Sequence, residues 1–401
     1  MPPESPPSSP PEPPAPPARV LAYDWLKGVV MVLMALDHAG MIFNQHHETR
    51  DSWMLYGFHL PIDPAEFFTR FVTHLCAPTF LFLGGVSLAL SCARRRTSAG
   101  PAAAPFDRDL LVRGLLLLAI DVFWWGRFGL EVLYPFGAGY LLLIGLRRLP
   151  RPWLAGLALL LLAGGEIPLL LARHAFGGDL AALRHALELG GPRPAWMPWF
   201  ILLAHPGKTF SRLTVLYPLL PWLGVLLLGW VYGSAPRRTS GSASRPGGRP
   251  GVLAAAGCGG LGLFVLIRGG NGYGNMLLPR YDASLVQWLH LSKYPPGLAF
   301  LALQLGLMAL ALAVLLRVES RRRRPAWRGN PLLVFGRTPL FFYVLHMHLM
   351  KAFALAFGLQ QRLGLGAQYA ATLAILVIMY GLCSWYDGVK STGRWPWLRY
   401  L

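Results

Sequence analysis

Apolar residues run along this chain in long blocks separated by short polar connections. Ten blocks stand out: Leu21–Asn44, Phe68–Ala93, Asp109–Gly126, Glu131–Leu146, Pro152–Arg173, Arg212–Gly233, Val252–Ile267, Pro295–Leu316, Pro331–Phe353 and Ala367–Tyr386. Most reach the roughly 20 residues that a helix needs to cross a hydrocarbon core of about 30 Å. Only helices and closed barrels satisfy their own backbone there. The pattern therefore predicts an all-α, polytopic membrane bundle of about ten transmembrane helices. The block Glu131–Leu146 is short and contains Pro135 and the closely spaced Gly137 and Gly139. Before the first block, residues 1–18 are almost entirely Pro, Ser, Glu and Ala, a composition that forms a disordered tail. Residues 19–401 then make one transmembrane domain. It is interrupted by a flexible Ser/Gly/Arg/Pro linker near 234–251. The long connection His174–Ser211 has room for a short amphipathic helix around Asp179–Leu189.

Composition agrees with the blocks. The chain is 54% hydrophobic and 14% charged, with a mean hydropathy of +0.44. Its formal charge of +19 would suit nucleic acid. The placement of that charge argues against it, because the arginines sit in alternate connections between apolar blocks. Arg94–Arg96, Arg147–Arg148, Arg237–Arg238 and Arg321–Arg324 thus share a side with both termini. That side is cytoplasmic by the positive-inside rule. The other connections carry Glu48, Asp51, Asp63, Glu66, Asp179, Glu188 and Asp282. Four cysteines fall singly in or beside apolar blocks, with neither a CxxC pair nor a disulfide framework.

Candidate chemistry lies in the polar residues that interrupt the blocks, since ionisable groups within a span are costly and mark functional sites by default. The first block holds Asp24, Lys27, Asp37 and His38. At 100° per residue, Lys27, Met31, Met34, Ala35 and His38 form one stripe. Asp37 and His38 point about 100° apart, so one can face a cavity while the other braces a neighbouring helix. The second block begins with Arg70 and His74 on one face, followed by Pro78. Asp121, Arg268, Lys293, Tyr294 and His346 fall in the outer halves of later spans or just beyond them. Orientation brings Asp37, His38, Arg70, His74, Asp121, Arg268, Lys293 and His346 toward one depth, the extracytoplasmic half, whereas Asp24 and Lys27 lie near the cytoplasmic end. A histidine base oriented by a carboxylate, with cations to hold an anion, suits deprotonation of a hydroxyl or amine. Asp37, His38, His74 and Asp121 are the candidate catalytic groups, and Arg70, Arg268, Lys293, Tyr294 and His346 the candidate substrate-binding ones. His46 and His47 read as surface loop. No metal-ligand spacing, Walker motif or Gly-x-Ser-x-Gly element is present.

Several ordered segments carry a resemblance. Tyr23-Asp24-Trp25-Leu26-Lys27-Gly28 with Leu33-Met34-Ala35-Leu36-Asp37-His38 resembles the opening of the heparan-α-glucosaminide N-acetyltransferase-like membrane family. Phe68–Pro78, Tyr217-Pro218-Leu219-Leu220-Pro221-Trp222, Lys293-Tyr294-Pro295-Pro296 and Pro339–His346 are similar to later parts of its bacterial branch. The resemblance implies a multipass acyltransferase of the plasma (inner) membrane. Acetyl-CoA or another acyl-CoA would be the donor, and a glycan or lipid-linked sugar on the far side the acceptor. No metal, and partners limited to lipid and acceptor, would be expected; the oligomeric state stays open, a homodimer included. In the namesake, a histidine in the loop after the first span is assigned the catalytic role. Here that register holds Thr49-Arg50-Asp51-Ser52-Trp53, and His46 and His47 are nearby but unmatched. Two other readings of the same residues are a transporter or flippase and a non-enzymatic scaffold.

Overall fold

The computed structural model describes residues 19–55, 62–98, 104–124, 129–188, 193–209, 213–235, 249–322, 326–327 and 329–395. The N-terminal tail and most of the 234–251 linker lie outside the described residues. The chain begins with α1 (Leu21–Phe43), α2 (Pro64–Thr73), α3 (Cys76–Ser98), α4 (Ala104–Trp124) and the short strand β1 (Gly129–Leu130). It continues through α5 (Leu133–Leu146), α6 (Arg151–Ala163), α7 (Ile167–Ala175), α8 (Leu180–Leu187) and α9 (Met197–Leu203). Strands β2 (Gly207–Thr209) and β3 (Leu213–Val215) precede α10 (Leu219–Gly233), α11 (Pro250–Gly270) and α12 (Leu285–Leu289). The last helices are α13 (Leu298–Arg321), α14 (Pro331–Arg337), α15 (Pro339–Ala356) and α16 (Leu365–Ser391).

All ten apolar blocks are largely helical, but fewer than ten helices meet the length and composition of a membrane crossing. Among the described residues six do so, with α2 and α3 taken together as one, and a seventh is added if α6 and α7, bent by 45° at Gly164-Gly165-Glu166, count as one span. The shortfall has simple causes. Helices α5 and α10 have 14 and 15 residues, about 21 and 23 Å at 1.5 Å per residue. Helix α4 carries Asp107, Arg108, Asp109, Arg113 and Asp121. The block starting at Arg212 opens as strand β3, and Pro218 then starts α10. Helix α8, with Asp179 accepting from Ala181 N and Ala182 N, occupies the place of the short amphipathic helix.

Helix α1 is the hub and packs against α2, α3, α13, α14, α15 and α16. It has no side-chain cap of its own. Instead, the Glu319 carboxylate at the end of α13 accepts from Leu21 N at 2.8 Å and Ala22 N at 2.9 Å. An acid at a helix N-terminus meets both orphan N–H groups and the positive end of the dipole. At the far end of α1 a three-stranded sheet, ordered β1-β3-β2, joins α7, α8 and α9 in a separate apolar cluster with Trp53, Leu130, Leu183, Ile201 and Val215. Elsewhere α11 and α16 turn Val265, Leu266, Leu373 and Val377 outward, as helix faces against lipid do.

Helices α3 and α10 meet backbone to backbone. A Cβ on Gly85 would collide with Leu226 O and Trp230 N, and one on Gly229 with the Phe82 backbone. Gly229→Ala is therefore expected to lower stability by about 1–3 kcal/mol, the usual cost of overpacking. A thermal-unfolding comparison in detergent checks this.

Candidate active site

The second apolar block breaks where its chemistry begins. Proline clashes with the carbonyl four residues back, which for Pro78 belongs to His74. Accordingly α2 ends at Thr73, His74 forms its cap, and α3 starts at Cys76. Asp63 caps the other end of α2 by accepting from Ala65 N and Glu66 N, with Pro64 in the first turn. These two features turn the face bearing Arg70, Thr73 and His74 toward the end of α1.

There the groups converge. Arg70 Nη1 pairs with Asp37 Oδ1. Its Nη2 and Nε donate to Asp51 Oδ2 at 2.7 and 3.2 Å. The Thr73 hydroxyl lies 3.0 Å from Asp37 Oδ1. His74 Nε2 is 3.2 Å from Asp51 Oδ2. One buried guanidinium thus bridges two carboxylates, the planar fork geometry at which Arg exceeds Lys. Burial alone would raise the Asp51 carboxyl. The Arg70 guanidinium and the His74 hydrogen bond outweigh it and hold the group well below the usual carboxylate range. Asp51 is fixed from a third side, where its carbonyl accepts from Lys293 N at 2.8 Å.

Lys293 is 3% exposed and has no ion pair within 4 Å among the described residues. Its charge acts on Asp51, on His47 and on Glu131. Its neighbour Tyr294 meets the Tyr217 hydroxyl at 3.2 Å, so two of the motif segments touch. Glu131 is half-buried in the turn before α5, where burial raises its carboxyl to about 7 against the pull of Lys293.

Asp37 and His38 diverge as the helical wheel requires. Asp37 faces α2, whereas His38 faces α15, where its Nδ1 lies 2.7 Å from His346 Nε2. Below His38 the same stripe of α1 changes character. Lys27, Met31 and Met34 line a cavity of about 320 Å³ bounded by α1, α3, α4, α5, α14, α15 and α16. Arg19, Lys27, Arg113, Arg337 and Lys390 stand at one end of it, and Phe80, Leu117, Val132, Leu133, Phe136 and Tyr343 line its apolar walls. Met34 and Tyr343 are each about one helical turn from His38 and His346. The cavity therefore runs from a cationic mouth to about one helical turn short of His38 and His346.

Two expected members stand outside the cluster. Arg268 is fully buried, and its three nitrogens are all engaged: Nε with Trp288 O, Nη1 with Asn275 Oδ1 and Leu278 O, and Nη2 with Gln287 O and His290 O, at 2.6 to 3.2 Å. It has no donor to spare for substrate and instead ties down the connection 271–290. Asp121 accepts from Glu131 N at 2.7 Å and Tyr134 N at 2.9 Å, closing the turn into α5 instead of orienting a histidine. His346 contacts His38 and the Phe342 carbonyl, which differs from the substrate contact expected of it.

Three participants were not legible as such. His47 reads as surface loop, yet it folds back over Gly40 to within 3.8 Å of Asp37, and its side chain is 7% exposed. A Cβ on Gly40 would strike the His47 ring and the Gln368 amide. Asn44 anchors this return by donating to the Glu66 carboxylate at 2.8 and 3.0 Å and to Gln368 Oε1 at 2.9 Å. Asp51 and Glu131 are loop carboxylates without periodicity. The one available signal was the catalytic histidine that the resemblance places in the loop of His47 and Asp51.

Among the described residues, no group of three or more His, Cys, Asp or Glu side chains is arranged to hold a metal. The fold and site define a multipass helical membrane protein, with a buried acid–base cluster at the head of a cation-mouthed cavity. The family model described as heparan-alpha-glucosaminide N-acetyltransferase, catalytic, matches residues 19–263, and the chain belongs to this family. Its name points to a transmembrane acetyltransferase. No curated protein gives a significant match.

Histidine burial sets a pH dependence of stability. Burial lowers His205 and His47 to about 4. His205 Nδ1 donates to Pro206 O and its Nε2 accepts from Trp53 Nε1 at 3.0 Å, a pattern open only to the neutral ring. Both folded-state values lie below the unfolded value of about 6.5. Their contribution is thus complete above pH 6.5 and is lost as pH falls through about 4. Glu131, raised to about 7, works in the opposite direction. The stability difference between the native chain and His205→Gln is therefore expected to shrink steadily from about pH 6.5 to 4, as read by Trp fluorescence during unfolding.

Proposed function

We propose that the protein transfers an acyl group, acetyl in the first instance, from a CoA thioester to an amine or hydroxyl of a glycan or lipid-linked sugar. In this reading it lies in the inner membrane with both termini cytoplasmic. The donor enters from the cytoplasm and the acceptor from the opposite face. The observation that carries the proposal is the α1 stripe, which lines the cavity with Lys27, Met31 and Met34 and then delivers His38 to the polar cluster. The cationic mouth suits the phosphates of CoA. A cavity of about 320 Å³ is at the lower end of small-molecule sites, which suits the thin pantetheine arm, with the nucleotide left at the rim.

In the reaction, His38 takes a proton from the acceptor N–H or O–H as that atom attacks the thioester carbonyl. The C–S bond then breaks, and the proton passes to the departing thiolate of CoA. Arg70 and Lys293 supply positive potential for the oxyanion that develops in between. Asp37, Asp51 and Thr73 hold Arg70, while His74 braces Asp51.

The test is incubation of the purified protein with radiolabelled acetyl-CoA and a lipid-linked oligosaccharide fraction. Label should move to the acceptor, and free CoA should appear in equal amount. Charge reversal at the mouth by Lys27→Glu should weaken acetyl-CoA binding about tenfold, or about 1.4 kcal/mol. Absence of both binding and CoA release would reject the reading in favour of a transport or scaffold role.

A further inference from the structure

We propose that His346 is a positioning residue that fixes the tautomer of His38, so that the His38 Nε2 lone pair faces the reacting groups. His346 Nδ1 lies 2.7 Å from Phe342 O, one turn back on α15. A carbonyl oxygen only accepts, so this nitrogen carries the hydrogen. No carboxylate lies within 4 Å of His346 among the described residues, and the ring is fully buried. Burial without a counter-ion selects the neutral ring, so His346 Nε2 is an acceptor. The partner at 2.7 Å, His38 Nδ1, must then donate. The two ring planes lie 16° apart, which directs that N–H along the acceptor lone pair. A neutral His38 with its hydrogen on Nδ1 has a bare Nε2.

His74 lacks this presentation. His74 gives its Nε2 hydrogen to Asp51, and its Nδ1 is completely enclosed with no partner. His38 is only half-buried, and its Nε2 has no hydrogen-bond partner among the described residues. A backbone carbonyl on α15 therefore sets, through two imidazoles, which nitrogen of α1 serves as base. This is the role a carboxylate has in hydrolase triads, filled here by a neutral acceptor suited to an apolar setting. The effect on rate rests on the acyl-transfer reading, whereas the tautomer does not.

The test uses the full-length protein in lipid nanodiscs with ¹⁵N-labelled histidine. Long-range ¹H–¹⁵N correlations should show His38 and His346 both protonated on Nδ1 and bare on Nε2. His346→Phe removes the acceptor while keeping the bulk, so His38 should lose its single tautomer. In the same variant kcat for acyl transfer should fall by about 10²-fold or more, the scale of general-base loss, with KM for acetyl-CoA near native. His346→Gln restores an amide oxygen for the His38 N–H and an N–H for Phe342 O, so it should recover most of both. A native His38 found protonated on Nε2 overturns the proposal, as does a His346→Phe variant that keeps tautomer and rate. If His346→Phe does not fold, the native spectrum and the Gln variant decide. A correct tautomer in a protein that transfers no acyl group rejects the acyl-transfer reading and leaves the tautomer assignment standing.

Discussion

His38→Gln is expected to lower acyl transfer by about 10²–10⁴-fold, the usual contribution of a positioned general base, with acetyl-CoA affinity close to native. The separation of effects follows from where His38 sits. The walls that would hold the donor are Met31, Met34, Leu133 and Tyr343, and its phosphates would meet Lys27, Arg113 and Arg337. His38 lies beyond them and meets α15 through His346. Glutamine can still donate an N–H to His346 Nε2, so the α1–α15 contact survives while the basic nitrogen is lost. Initial rates at saturating acetyl-CoA, set beside binding isotherms, distinguish the two effects. A matching loss in His74→Gln would shift the role of base toward Asp51 and its partner.

Arg70→Met is expected to have the largest effect on stability, about 3–5 kcal/mol, because removing one member of a buried ionic group leaves the rest uncompensated. Here the rest is two carboxylates, Asp37 and Asp51, on α1 and on the loop that follows it. Asp51 also anchors His74 and, through its carbonyl, Lys293 N. Loss of Arg70 should therefore loosen α2, the loop and the segment before α13 together. Arg70→Lys should recover only part, since an ammonium cannot present the flat fork that reaches both acids. Adding Asp37→Asn to Arg70→Met should recover some stability, and the double-mutant cycle measures the coupling. Unfolding in mixed micelles by increasing SDS fraction gives the values.

The sequence carried the outline of this site and misassigned parts of its interior. The cost of charge in an apolar span singled out Asp37 and His38, and helical geometry separated their directions. The structure bears this out, with one on α2 and the other on α15. Depth, inferred from alternating connections, also grouped Arg70, His74 and Lys293. Depth says nothing about lateral position, however. Arg268, expected at that depth, turns to five acceptors of its own connection, four of them carbonyls. Main-chain acceptors leave no trace in composition. Asp121 was lost for the same reason, because its partners are the backbone N–H groups of Glu131 and Tyr134. His47, Asp51 and Glu131 lie in connections without periodicity, where only tertiary contact reveals burial. The cavity was unreadable for a further reason: six of the seven helices around it lie outside the α1 stripe, and their packing is set by contacts far apart in sequence. The span count fell short because hydropathy blocks do not record where prolines and paired glycines shorten or bend a helix.

In the proposed function the cavity and the polar cluster are two halves of one site joined at His38. A structure of the protein in lipid nanodiscs with a non-transferable acetyl-CoA analogue tests it most directly. The pantetheine arm should run along Met31 and Met34 with the phosphates among Lys27, Arg113 and Arg337. The acyl carbonyl should emerge beside His38, within the roughly 3–3.5 Å that an attacking acceptor atom needs. An analogue bound at any other surface, or a cavity that stays empty at saturating analogue, would contradict it.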